Sequence, residues 1–176
     1  MNFRMIFKSL GIVIGIEALC MVPSLIVSLI YAQQDFRAFI YSILITTVVA
    51  ILMYRIKVKT SNFYARDGFA VVALAWILLS LFGSLPFLIS GSIPSPVNAF
   101  FESVSGFSTT GSTILEDIEI LPRGILFWRS FTHWIGGMGV LVLTLAVLPS
   151  VGAGSFHIMK AEATGPSTEK LVPKLG

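Results

Sequence analysis

Residues 95–113 read SPVNAFFESVSGFSTTGST. The first half carries a helical signal. Pro96 suits a first turn, where its missing N–H would be unpaired in any case, and Ser95 stands before it in the N-cap position. Val97, Phe100, Phe101 and Val104 recur at spacings of three and four, which puts them on one face of a helix. From Val97 to Phe107 such a helix is about 16 Å long, half the thickness of a hydrocarbon core. The second half, SGFSTTGST from Ser105 to Thr113, drops that pattern for small and hydroxylated residues. A half-length helix that ends in a polar loop reads as a re-entrant hairpin if its flanks cross a membrane. The plainer alternative is a Ser/Thr/Gly connection between two spans.

The flanks are long enough to cross. The 176 residues are 55% hydrophobic and 12% charged, a composition suited to lipid rather than water. Leu10 to Tyr31 carries one charge, Glu17, and its length of about 33 Å covers a core of about 30 Å. Phe39 to Tyr54 is uncharged and gains the missing length from Phe36 to Ala38. Phe69 to Ser90 forms a third span, interrupted near its end by Gly83 and Pro86. Gly124 to Leu148 forms a fourth, with Arg129 and His133 in its first half. A cleaved signal peptide does not fit the N-terminus, whose apolar run is too long and lacks a clean small-residue cleavage site.

The expected fold is therefore an all-α membrane protein with four transmembrane helices and one re-entrant pore helix and filter loop between the third and fourth. It divides into a two-helix pair over 1–60, a helix, pore-loop, helix unit over 61–154, and a cytosolic linker over 155–176. Cys20 lies in an apolar run and is the chain's single cysteine, so it reads as small filler rather than part of a disulfide framework or metal site. The net charge of +3 comes from basic residues scattered singly between spans, which argues against nucleic acid. With a cytoplasmic N-terminus, Arg4, Lys8, Arg55, Lys57, Lys59, Arg66, Lys160, Lys170 and Lys174 fall inside, against Arg37, Arg123 and Arg129 outside. That asymmetry favours a multi-pass protein of the cytoplasmic (inner) membrane with both ends in the cytoplasm.

Irregular backbone at membrane depth survives only where protein or water satisfies its polar groups. An extended Thr/Gly strand after a short helix can use this exception by turning its carbonyls to a central axis, where they replace the water shell of a cation. Gly111 supplies backbone freedom, the Ser and Thr hydroxyls can tie the strand to the helix, and the helix C-terminus favours positive charge.

Two longer signatures accompany this one. NAFFESVSGFSTTGSTIL (98–115), LPRGILFWRSFTHWIGGMGVLVLTLAVLP (121–149) and MKAEATGPSTEKLVPKL (159–175) together closely resemble the first pore repeat of the Trk/Ktr/HKT superfamily of potassium transporters. The two spans ahead of the repeat resemble the N-terminal helix pair of its TrkH/TrkG branch. The resemblance covers effectively the whole chain and implies four helix, pore-loop, helix units around one permeation path. It makes Thr109 and Thr110 the potassium-coordinating positions through backbone carbonyls, with Gly111 as the glycine each filter strand requires. It also implies a subunit that dimerises and docks a cytosolic nucleotide-binding regulatory protein, with potassium as transported ligand, no cofactor and no enzymatic chemistry. Channel-like passage and ion-coupled symport both fit these residues. Family members are several times longer, so the chain is expected to correspond to an N-terminal portion that does not conduct alone.

Two other functions compete. An intramembrane serine protease would pair His133 with Ser105 or Ser108, although Ser103-Val104-Ser105-Gly106 lacks the leading glycine of a rhomboid G-x-S-G. A membrane anchor or assembly module would need none of Thr109, Thr110 and Gly111. Among the remaining residues, Glu17 is an intramembrane charge, either a coupling group or an interfacial one. Gly136, Gly137 and Gly139 read as a close-packing face against the back of the pore loop. Glu116, Asp117 and Glu119 read as a solvated face or a cation-concentrating vestibule. Tyr31, Trp128 and Trp134 read as interfacial aromatics.

Overall fold

The computed structural model describes residues 3–56 and 65–147, with side chains over 3–56 and 67–139. Among these every regular element is a helix: α1 (Phe3–Cys20), α2 (Val22–Ile30), α3 (Phe36–Tyr54), α4 (Ala65–Gly83), α5 (Leu85–Ile89), α6 (Pro96–Phe107) and α7 (Arg123–Val147). The linker over 155–176 and the lysines at 57, 59, 160, 170 and 174 lie outside the described residues. Residues up to Met138 form one compact unit, and a second begins at Gly139.

Among the described residues three stretches are long and apolar enough to cross a membrane: Phe3–Ile30, Phe36–Tyr54 and Asp67–Ile89. The first starts at Phe3 rather than Leu10. Arg4 and Lys8 do not end a helix, because long basic side chains at its end reach polar surroundings while their stems stay on the apolar surface; Lys8 Nζ lies 5.1 Å from the centre of the Tyr54 ring. Between α1 and α2 the hydrogen-bond ladder continues through Met21, whose N–H donates to Glu17 O and whose carbonyl accepts from Leu25 N–H, both at 3.1 Å. The α4 to α5 break falls at Ser84, between the Gly83 and Pro86 that announce it.

Helix α1 lies along α3 and also packs against α4; α4 in turn supports α6. Close approach of α1 and α3 depends on Gly11, where a β-carbon would come within 2.9 Å of Tyr54 N and 3.0 Å of Ala50 O. A core of Met21, Phe39, Phe87, Phe107, Ile125 and Trp128 fills the space between α2, α3, α5, α6 and α7. Large apolar side chains such as Ile16, Leu19, Leu44 and Leu52 are left on the outside, where lipid rather than water is a suitable solvent. The start of α7 seats on the α2–α3 turn: Arg123 N–H donates to Gln33 Oε1 at 2.6 Å, and Ser28 Oγ donates to Asp35 Oδ1 beside Gly124.

Candidate functional site: the loop after α6

Helix α6 has 12 residues, about 18 Å, too short to cross. Ser95 takes the extended N-cap backbone, φ −78° and ψ 122°, but its side chain makes no capping hydrogen bond, so Pro96 alone relieves the first turn. The face turned into the unit is not the apolar one. Ala99, Glu102, Ser103, Ser105, Gly106 and Phe107 are buried, while Val97 is 76% and Phe101 43% exposed. Small residues therefore let α6 approach α4 and α7, and its greasy stripe faces away.

The helix ends in a Schellman turn. Thr109 N–H donates to Gly106 O at 2.9 Å and Thr110 N–H to Ser105 O at 3.0 Å, the paired bonds of that motif. The residue in the left-handed position is Thr109, φ 58°, where glycine is usual. A β-branched residue there is a true outlier, and such strain concentrates at functional positions. The next left-handed residue, Gly111 at φ 77°, meets no such penalty.

These bonds also orient the carbonyls. Gly111 N–H points back to Ser105 O as well, at 3.4 Å. In a trans peptide the carbonyl of one residue is opposed to the N–H of the next, and the described residues contain no cis peptide. With the N–H groups of Thr110 and Gly111 aimed at the end of α6, the carbonyls of Thr109 and Thr110 are aimed away from it. Both residues are exposed on this chain. At Ser112 the direction reverses, since its carbonyl accepts from Ser105 Oγ at 2.5 Å. The hydroxyls of Ser108 and Thr110, 2.7 Å apart, join across the turn.

A buried charge holds the far side of the loop, and it is the residue that the sequence pattern did not single out. Glu102, 1% exposed, accepts from Arg129 Nε at 2.6 Å on Oε1, and from Thr113 Oγ1 at 3.0 Å and Ile114 N–H at 3.3 Å on Oε2. A single carboxylate thus ties α6, the loop and α7 together. Its signal was a lone acid in an otherwise uncharged half-length helix, 27 residues before an arginine in the next one. Arg129 is correspondingly an ion-pair partner.

Small residues set the backing. A β-carbon on Gly136 would fall well inside contact distance of the Phe107 carbonyl, so α7 touches the very end of α6, as the glycine cluster suggests. Gly137 faces Thr109 Cγ2, with a β-carbon position 3.9 Å away. Trp128 is fully buried, with its Nε1–H donating to Gly83 O at 2.9 Å and its ring edge-on to Phe107 at 6.4 Å. It is a core residue rather than an interfacial one, whereas Tyr31 and Trp134 are exposed on this chain. Glu116, Asp117 and Glu119 are exposed, with Glu119 N–H on Asp117 Oδ1 at 2.9 Å.

The protease geometry does not form. Ser105 Oγ is committed to Ser112 O, Ser108 Oγ pairs with Thr110 Oγ1, and His133 Nδ1 lies 2.9 Å from Arg129 O. Among the described residues no hydroxyl is hydrogen-bonded to the imidazole as a nucleophile would be.

This chain is similar to known proteins. The chain is 40% identical over 183 residues to the Trk system potassium uptake protein TrkH of Halomonas elongata and 35% identical over 178 residues to that of Escherichia coli K12, in each case over 99% of this chain and 37% of the relative. The crystal structure of the potassium transporter TrkH from Vibrio parahaemolyticus superposes with a TM-score of 0.80 at 34% identity, over 92% of this chain and 36% of that one. The chain thus spans little more than a third of the length of these relatives. Residues 31–174 match the family described as TrkH, cation transport protein, and the chain belongs to that family.

Proposed function

We propose that this chain forms the first pore repeat of a Trk-type potassium uptake subunit, in which the carbonyls of Thr109 and Thr110, with Gly111 beside them, supply one strand of a potassium filter. The observation that carries the reading is the loop's peptide orientation: two consecutive carbonyls turned away from α6 while the N–H groups behind them are occupied by it. Carbonyls so held replace waters of hydration around a cation without rearranging. The C-terminal end of α6 adds partial negative charge on the same side.

In this reading α6 and its loop re-enter the bilayer from the outer side, α7 crosses as the fourth span, and both chain ends lie in the cytoplasm. The outward apolar stripe of Val97, Phe101 and Val104 then faces further repeats or lipid. A homodimer and a cytosolic nucleotide-binding regulatory partner belong to the same proposal and rest on the family resemblance. One strand cannot surround an ion, so these 176 residues alone do not conduct.

The test is rubidium and sodium uptake by potassium-transport-deficient cells expressing the whole subunit with Thr109-Thr110-Gly111 replaced by Ala-Ala-Ala. Loss of rubidium uptake with normal membrane insertion is expected. Selective uptake at the unmodified level would refute the assignment, and potassium-dependent growth supported by residues 1–176 alone would refute the need for further repeats.

A further inference from the structure

Outside the loop, the described residues contain a second convergence of polar groups, at Gly83 where α4 ends. Glu17 on α1 is 2% exposed and neither of its carboxyl oxygens has a hydrogen-bond partner. Ser103 on α6 is fully buried and its Oγ is likewise without one. The two face the same small volume: the position of a β-carbon on Gly83 lies 3.1 Å from Glu17 Oε1 and 2.8 Å from Ser103 Oγ, with the Phe107 ring 2.6 Å away. Glycine at 83 is what leaves this volume free.

We propose that Glu17 is held there as a neutral carboxylic acid whose O–H is donated to Ser103 Oγ, a buried proton-binding site that joins α1 to α6. An unpaired carboxylate in an apolar interior is costly, and a buried acid without a cation is retained by keeping its proton. Among the described residues no basic side chain is paired with Glu17. Among the described residues the ion pair is Glu102 with Arg129, which engages neither group. On α1 the nearest titratable neighbour is Cys20, and Lys8 is occupied over Tyr54. On the helices packed against α1, Arg37 is the second residue of α3 and Asp67 the third of α4, whereas Gly83 is the last residue of α4. A serine hydroxyl can accept and donate at once, so Ser103 Oγ, which faces the same volume at Gly83 as Glu17 Oε1, can accept from the acid. Ser103 is one turn before Phe107, the residue whose carbonyl abuts Gly136 beneath the loop. Glu17 is therefore a positioning residue for the end of α6, outside the ion path.

The test is infrared difference spectroscopy on the purified whole subunit in lipid vesicles near neutral pH, comparing wild type, E17Q and S103A, with thermal unfolding of each. The expected result is a protonated-carboxyl C=O band lost in E17Q and shifted in S103A, with E17Q unfolding alongside wild type, since a neutral amide can make the same bond. Loss of an ionised-carboxylate band in E17Q would overturn the proposal, as would a band that S103A leaves unmoved. An E17Q protein that fails to fold while S103A folds normally would also overturn it, because the anion would then be what the fold requires. None of these readouts depends on which ion the subunit transports.

Discussion

Because Glu102 and Arg129 differ in burial, breaking their pair from either side should have unequal cost. Removing one partner of a buried pair costs about 3–5 kcal/mol, mostly through the charge left behind. R129Q strands a carboxylate that is 1% exposed, so its cost belongs at about 5 kcal/mol, partly offset because Thr113 Oγ1 and Ile114 N–H still donate to it. E102Q strands a guanidinium on a side chain that is 12% exposed, where water can reach it, and its amide oxygen can still accept from the loop. Its cost belongs nearer 2–3 kcal/mol, the size of a charge-assisted hydrogen bond. The double variant E102Q/R129Q leaves no uncompensated charge and should be more stable than R129Q alone, with a coupling of at least about 1.5 kcal/mol. Reversible unfolding in mixed micelles measures all four proteins. In the whole subunit the same variants should loosen discrimination between rubidium and sodium, because Glu102 anchors the end of the loop through Thr113 and Ile114. R129Q milder than E102Q, or two strictly additive effects, would refute the clamp.

Three further outcomes follow from the loop and its backing. G136A places a methyl against the Phe107 carbonyl, a backbone atom that cannot step aside; a loss of about 1–3 kcal/mol is expected in thermal unfolding, and unchanged stability would dismiss the contact. T109N should stabilise by about 1 kcal/mol, since asparagine tolerates the left-handed region that strains threonine, and a destabilised T109N would show that the threonine side chain outweighs the strain. Neutralising Glu116, Asp117 and Glu119 together should weaken apparent potassium affinity in low salt, with the difference vanishing near 1 M salt, where screening acts within about 3 Å; equal affinity at low salt leaves them a solvated surface.

The parts of the molecule readable in one dimension are those whose energetics are local sums. Hydropathy over twenty residues locates α3 from Phe36, and Gly83 with Pro86 locates the break at Ser84, because each depends on residues adjacent in the chain. Pro96 and the three-and-four spacing locate α6 for the same reason. The start of α1 at Phe3 was less legible, since the cost of Arg4 and Lys8 depends on where their long side chains end. Trp128 shows the limit most clearly. Its position six residues into α7 looks interfacial, yet which side of a helix meets α4 is set by α4, and the ring is buried on Gly83.

For the loop, sequence by itself determined that a polar, glycine-bearing segment follows a half-length helix, and that the chain carries the signature of a cation transport family. Only the tertiary structure decided which way the segment's peptides point and what holds them. Peptide orientation follows from hydrogen bonds to Ser105 at the end of α6, and the anchoring from a carboxylate on α6 that meets an arginine on α7. Both are decided by distances of about 3 Å that residue type does not specify, and the anchoring pair joins residues 27 apart in sequence. The apolar stripe of α6 makes the same point in reverse: composition marks it as a face to be covered, and the packing turns it outward, with Glu102, Ser103 and Gly106 taking the interior.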